Sequence, residues 1–314
     1  TSRGLGDVYK RQCYEHENIT KPYSCSVFVA TFHTLKTLNQ LEIDSTEEEV
    51  DAFKRAHTHF FYGFNCGKQL VSLLQDYNGN MRWSDFRMVC VGFNNANFDN
   101  FFLLDELLDL VQEGERDHVD YVDFHSSSVI ANIIFFNKNC STFDLHKHMT
   151  VGSLKSLCKD YQIKKFAKRP ELIDHLEMQR RYVQQHFVLE DFEQSLLPDV
   201  PQLKEYNTYD VLSLGLLFFR YCDFIKSITT ISKAYELNPA LMPVFRYVSA
   251  QQFLYNVHTT YLKHNKIKQP RLTYDQYQQM RDSAVGGRVC VFNKRGRRYE
   301  GNTLSLDVCS MYPY

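Results

Sequence analysis

The sequence is poor in the residues that would place it in a special structural class. Glycine (13) and proline (8) are scarce over 314 residues, which excludes collagen-like and low-complexity chains. Tryptophan occurs once, against 24 Phe and 20 Tyr. The nine cysteines (Cys13, Cys25, Cys66, Cys90, Cys140, Cys158, Cys222, Cys290 and Cys309) are scattered singly. Without a Cys-x-x-Cys pair, a zinc knuckle or a thioredoxin-type motif is excluded. An odd number of isolated thiols reads as free cysteine in a reducing, intracellular compartment. Charge of one sign is also missing: Lys and Arg number 36, Asp and Glu 37, and the net charge is −1. No global basic field advertises a nucleic-acid partner, although positive charge can still be confined to a groove. No secretory leader is apparent. The longest apolar run, 211–219, contains Ser213 and Gly215 and is far too short to span a membrane.

What is present is ordinary globular material, with 44% hydrophobic and 23% charged residues. The length corresponds to roughly two domains. β-branched and aromatic residues predict a strand over 24–31, and acidic then apolar residues predict a helix over 47–56. A short strand at 59–62 leads through Gly63 and Asn65 into a helix over 67–75, followed by turn chemistry at 76–80 (Asp-Tyr-Asn-Gly-Asn). An apolar run at 88–93 predicts a buried strand. Residues 94–99 break it, and a helix resumes over 101–111. Strands at 129–136 and 141–145 and a helix at 153–161 follow, then one long, largely buried helix over 203–225. Strands alternating with helices predict an α/β domain to about residue 225.

Beyond it the pattern changes. Pro239, Pro243 and Pro270 punctuate short helical pieces, and Lys263, Lys266, Lys268 and Arg271 gather nearby. Gly286 and Gly287 precede a strand at 289–292, a basic turn at 294–298, and a last strand at 303–308 that delivers Asp307 near its end. These features predict the opening strands of a second domain.

Two carboxylates have notable surroundings. Asp99 ends the stretch Asn94-Asn95-Ala96-Asn97-Phe98-Asp99 directly after a buried strand. Amides and a carboxylate at a strand's C-terminal edge suit a hard cation or a polar ligand. The same residues also read as an Asx-rich turn with Asp99 capping a helix. Asp210 lies four residues after Tyr206, on one helical face; the plain alternative is the polar edge of an amphipathic helix.

Taken together, an Asn-x-x-Phe-Asp box (Asn95 to Asp99) and a Tyr-x-x-x-Asp box (Tyr206 to Asp210) about a hundred residues later resemble the second and third exonuclease motifs of family B DNA polymerases. Asp307-Val308-Cys309-Ser310-Met311-Tyr312-Pro313 resembles that family's polymerase motif A, with Met311 in place of the usual Leu, a volume-conserving change. Gly286-Gly287 stand where the protein-primed branch joins its two domains through Tyr-x-Gly-Gly, with Ala284 at the Tyr position. Thr142-Phe143-Asp144-Leu145 and the segment from Ser153 to Lys159 are similar to further stretches of that branch. The resemblance covers about residues 13–314 and points to a protein-primed, viral or organellar type B polymerase.

The resemblance implies an RNase H-like 3′–5′ exonuclease domain (13–225), a helical linking segment (226–285) and the first strands of a truncated polymerase palm (286–314). It implies two Mg²⁺ ions, held in part by Asp99 and Asp210, with Tyr206 orienting the attacking water. Carboxylate oxygens are the ligands Mg²⁺ prefers, and a pair of ions activates water and stabilises the leaving oxyanion. Asn95 and Phe98 would contact a single-stranded 3′ end. Lys168 is the candidate for the family's lysine between the two motifs; it is followed by Glu171 rather than an apolar residue and reads equally as a solvated basic face. Asp307 would ligate the polymerase metals, Ser310 and Tyr312 would bind the incoming nucleotide, and Gly286 and Gly287 would border the DNA. The implied partners are single-stranded and primer-template DNA, a deoxynucleoside triphosphate and a terminal priming protein, with no membrane.

The family's first exonuclease motif, Asp-x-Glu, finds only Glu15-His16-Glu17, and Glu17 is a doubtful ligand. Residues 1–12 look like translated adapter sequence, which predicts that the original motif was overwritten. Polymerase motifs B and C are not seen before residue 314, so polymerisation is not expected of this chain alone. Two alternatives stay open, a free-standing RNase H-like exonuclease and an inactive nucleic-acid-binding remnant.

Overall fold

The strand Ile19–Phe28 (β2) is buried from Pro22 to Phe28 on both of its faces. Side chains alternate across a strand, so Cys25 and Val27 enter one apolar cluster while Ser24 and Phe28 turn toward the long helix described below. β2 is the middle strand of a three-stranded antiparallel sheet, flanked by Lys10–His16 (β1) and Thr58–Tyr62 (β3). The computed structural model describes residues 10–16, 19–80, 88–112, 118–149, 152–174, 194, 197–231, 247–268 and 273–283. β1 crosses the boundary drawn at residue 12.

Between β2 and β3 run two helices, Phe32–Ile43 (α1) and Glu47–His57 (α2). Each begins with a reciprocal cap, Thr31 with Thr34 and Thr46 with Glu49, which satisfies N–H groups that the first helical turn leaves open. Those hydrogen bonds hold the Glu49 carboxyl below its usual range. Cys66–Asn80 (α3) then packs on β2. It continues through the predicted turn at 76–80, because Asn78 accepts a hydrogen bond from the Asn139 side chain at 3.0 Å while Leu70, Val71 and Leu74 bury the same helix.

The second sheet has the order β4–β7–β6–β5, made of Met88–Gly92 (β4), Val119–Ser126 (β5), Val129–Phe135 (β6) and Cys140–Asp144 (β7). β4 and β7 are parallel, joined by the helix Asp99–Gln112 (α4) and the β5–β6 hairpin; the other pairs are antiparallel. β5 had no counterpart in the sequence reading. It is an edge strand, mostly exposed, with three register shifts, so it shows neither a steady alternation nor a buried run.

The short helix Leu154–Asp160 (α5) and the 32-residue helix Val200–Ile231 (α6) complete the core. From Tyr206 to Leu217 every residue of α6 is buried, so the helix is covered on all sides. Gly215 is required there: a Cβ at this position would meet the Phe28 ring at 2.7 Å. Arg220 anchors α6 to α1 through Asn39 and to the end of α5 through the Tyr161 carbonyl. The chain is thus mixed α/β. Among the described residues, no helix is long and apolar enough to cross a membrane.

The chain divides into two compact units, Thr1–His264 and Asn265–Tyr314. The first ends with Ala250–His264 (α7), whose Phe253 is buried. In the second, Tyr274–Ser283 (α8) starts with a reciprocal cap between Thr273 and Gln276.

Two side chains hold connections that no sheet or helix secures. The Glu42 carboxylate accepts the backbone N–H groups of Lys164 (2.6 Å), Lys165 (3.0 Å) and Phe166 (2.9 Å). His148 is buried beside the Phe143 ring. Its Nε2 lies 2.8 Å from the Tyr247 carbonyl and therefore carries the proton, leaving Nδ1 to accept from the Tyr221 hydroxyl at 3.2 Å. Burial pushes the imidazole down to about 4.

Glu42→Ala should lower the unfolding free energy by about 2 kcal/mol, since one buried and two part-buried donors lose their acceptor together. Urea melts showing a loss below about 1 kcal/mol would contradict this. His148 is neutral when folded, whereas the unfolded imidazole takes up a proton near pH 6.5. Its contribution is therefore complete above pH 6.5 and is lost as the pH falls toward 4, by up to about 3 kcal/mol. His148→Gln keeps a donor and an acceptor, so it should flatten that part of the stability–pH curve. Parallel curves for the two proteins would refute the assignment.

Candidate active site

Four polar residues of α6 other than tyrosine, Asn207, Thr208, Asp210 and Ser213, fall inside its buried stretch, where they cost free energy unless partnered. Tyr206 and Asp210 are 2% and 0% exposed and share one helical face. Beside them Asn207 donates to Ser24 of β2 at 3.1 Å, and the Ser213 hydroxyl donates to the Asp210 carbonyl at 2.8 Å.

The segment 164–169 crosses this part of α6 under the control of Glu42. Three of its first N–H groups are gripped by the Glu42 carboxylate, and the Lys165 ammonium caps α1 and the residues after it through the Leu41 carbonyl, the Ser45 carbonyl and the Ser45 hydroxyl. Phe166 is fully buried in the main core. With both anchors set, the next two cations are aimed. Lys168 places Nζ 3.6 Å from Asp210 Oδ1 and 5.6 Å from the centre of the Tyr206 ring. Arg169 places its guanidinium 4.1 Å from the centre of the Tyr209 ring. Lys168, Tyr206 and Asp210, three residues singled out in the sequence, thus form one group. The Lys168 side chain is only 14% exposed, so it is not a solvated basic face.

Asp99 is positioned by a different element. β4 stops at Gly92, where a Cβ would strike the Asn95 side chain at 2.5 Å. Asn94 then takes a left-handed conformation (φ 67°), a short 3₁₀ turn covers Asn95–Asn97, and α4 begins at Asp99. The turn is tied to β7 by Asp144, which accepts the N–H groups of Asn94 (2.8 Å), Ala96 (3.2 Å) and His146 (3.0 Å). Burial pushes the Asp144 carboxyl up, while those three N–H groups pull it the other way. Asp99 itself is 2% exposed and sits at the positive end of the α4 dipole. Asn95 is fully buried and its Nδ2 reaches the Phe143 carbonyl at 3.4 Å; Phe98 is half-buried, edge-on to Phe102.

Four buried oxygens in this region, Ser26 Oγ, Asn95 Oδ1, Asn100 Oδ1 and Asn207 Oδ1, have no hydrogen-bond partner among the described residues. Such atoms mark places where water or an ion belongs. In donor type, the carboxylates of Asp99 and Asp210 and these amide oxygens suit a hard cation. Among the described residues, however, no group of three or more His, Cys, Asp or Glu is assembled to hold a metal ion. Glu17, Gly286, Gly287, Asp307, Ser310 and Tyr312 lie outside the described residues.

Sequence reasoning did not identify Glu42, Asp144 or Asn207 as parts of the site. Asp144 carried a signal, a carboxylate ending a buried strand. Glu42 carried none, since it sits in an exposed-looking run between Leu41 and Ile43. Asp144→Ala should free the 94–97 turn, costing about 2 kcal/mol and weakening hydrogen-exchange protection at Asn94 and Ala96. Unchanged protection at those two amides would rule out the tether. Compared with protein-family profiles, with curated proteins and with solved structures, the chain matches none.

Proposed function

We propose that the chain carries a 3′–5′ exonuclease domain of the RNase H-like type, the proofreading part of a protein-primed family B DNA polymerase, with residues 286–314 opening the palm. The observation that carries the reading is the grouping of Asp210, Tyr206 and Lys168 at the buried stretch of α6. A fold keeps a fully buried carboxylate against its desolvation cost mainly where a partner or a reaction uses it. The near-complete burial of Asp99 behind an amide-rich turn supports the same reading.

In this reading Asp99 and Asp210 provide carboxylate oxygens for Mg²⁺, whose chemistry is to generate the attacking hydroxide and stabilise the leaving 3′ oxyanion. Tyr206 orients the water, Lys168 balances the charge of Asp210, and Asn95 and Phe98 hold the terminal nucleotides. The substrate is single-stranded DNA with a free 3′ end. In the complete enzyme a primer-template, a deoxynucleoside triphosphate and a priming protein are the further partners, with Asp307, Ser310 and Tyr312 serving polymerisation beside Gly286 and Gly287.

The test is trimming of a 5′-labelled single-stranded oligonucleotide with Mg²⁺. Asp99→Ala and Asp210→Ala should each reduce the rate at least about a hundredfold while the chain stays folded, and EDTA should stop it. Trimming that survives both substitutions, or persists in EDTA, would overturn the assignment. Binding without trimming in the unsubstituted chain would favour the nucleic-acid-binding remnant.

A further inference from the structure

Tyr209, one residue before Asp210, is 5% exposed, and two cations from different elements converge on it. The Lys54 ammonium of α2 donates to the Tyr209 hydroxyl at 3.1 Å and stands 4.5 Å from the ring centre. The Arg169 guanidinium, delivered by the segment that Glu42 fixes, stands 4.1 Å from the same centre. One ring therefore orders two long side chains that are usually mobile.

The charge balance is uneven. Lys168 is matched by Asp210, and Lys54 has only the exposed Asp51 at 3.4 Å. Among the described residues, no carboxylate pairs with Arg169. A guanidinium resting on an aromatic ring uses its face, leaving its N–H groups in the plane for a bidentate acceptor. The Lys54 ammonium likewise retains a donor after those used by Tyr209 and Asp51. Two pre-ordered cations sharing one anchor, each with donors left over, form a site for a planar or tetrahedral oxyanion.

We propose that Lys54 and Arg169, ordered by Tyr209, form a clasp for a backbone phosphate of single-stranded nucleic acid beside Asp210. The identification of the phosphate as nucleic acid rests on the proposed exonuclease reading; the clasp itself rests on the three side chains. Since Asp210 follows Tyr209 on the same helix, a phosphate held here fixes how the strand runs past the carboxylate. The clasp would set register without reading sequence.

The test is binding of a fluorescent single-stranded oligothymidylate in EDTA, where no trimming occurs, at several salt concentrations. Lys54→Met and Arg169→Gln should each weaken binding about tenfold at low salt. Each should also reduce the slope of log K against log salt by about 0.7, the contribution of one phosphate contact on a single strand. Tyr209→Phe removes the hydroxyl that Lys54 uses but keeps the ring, so it should reproduce part of the Lys54→Met loss. Urea melts within about 1 kcal/mol of the unsubstituted chain exclude misfolding as the cause.

Unchanged salt slopes in both Lys54→Met and Arg169→Gln overturn the clasp. Inorganic phosphate that binds the clasp without competing with the oligonucleotide overturns the nucleic-acid assignment. The two readings fail separately: binding lost in these variants while the chain trims nothing with Mg²⁺ upholds the clasp and sinks the exonuclease, whereas trimming with unaltered salt slopes does the reverse.

Discussion

The carboxylate of Glu42 is the constraint on which the geometry around Asp210 depends. It accepts three successive backbone N–H groups, from Lys164, Lys165 and Phe166, at 2.6 to 3.0 Å. A run of donors pointing one way is a concavity for an anion, and here the anion is part of the protein. Without it these N–H groups would lose their acceptor, because the segment belongs to neither a sheet nor a helix. With it, the chain leaving Phe166 is aimed, and the next side chains reach Asp210 and Tyr209.

The same device appears beside Asp99. Asp144 collects the N–H groups of Asn94, Ala96 and His146, and so fixes the turn from which α4 and Asp99 depart. In each case a buried acid organises a loop, and the loop positions a chemically useful side chain. Neither acid needs to touch a substrate. Their burial is offset because each satisfies three partly or fully buried donors that would be expensive to leave unmatched. Asp210 and Asp99 are therefore each served by a loop pinned to a rigid element, α6 for the first and the ends of β4 and β7 for the second.

Much of that frame was legible in the sequence. The apolar run at 88–93 became β4, and the stretch 203–225 became the central part of α6, which extends it by three residues at one end and six at the other, since continuous burial leaves a continuous hydrophobic signal. The acidic then apolar pattern over 47–56 marked α2 for an equally local reason. α1 escaped notice because its Thr31–Thr34 cap is a less usual pairing and its apolar residues are spread thinly. β5 escaped because an edge strand answers to its hairpin partner rather than to a core. The turn chemistry at 76–80 was overridden by tertiary contacts of α3.

The candidate site divides along the same line. Asp99, Tyr206 and Asp210 stood out because their spacing is local, i to i+4 or a single turn. Lys168 was ambiguous in the sequence, since nothing within a few residues of it shows what it faces; its partner lies on α6. Glu42 and Asp144 are similar cases: apart from His146, their partners are backbone N–H groups far along the chain, and a backbone donor has no sequence signature at all. The Tyr209 cluster joins residues from α2, from the Glu42-held segment and from α6, so only the folded chain shows that its two cations share one anchor. Local spacing thus exposes the candidate residues, while the residues that hold them in place are visible only once the backbone has closed around them.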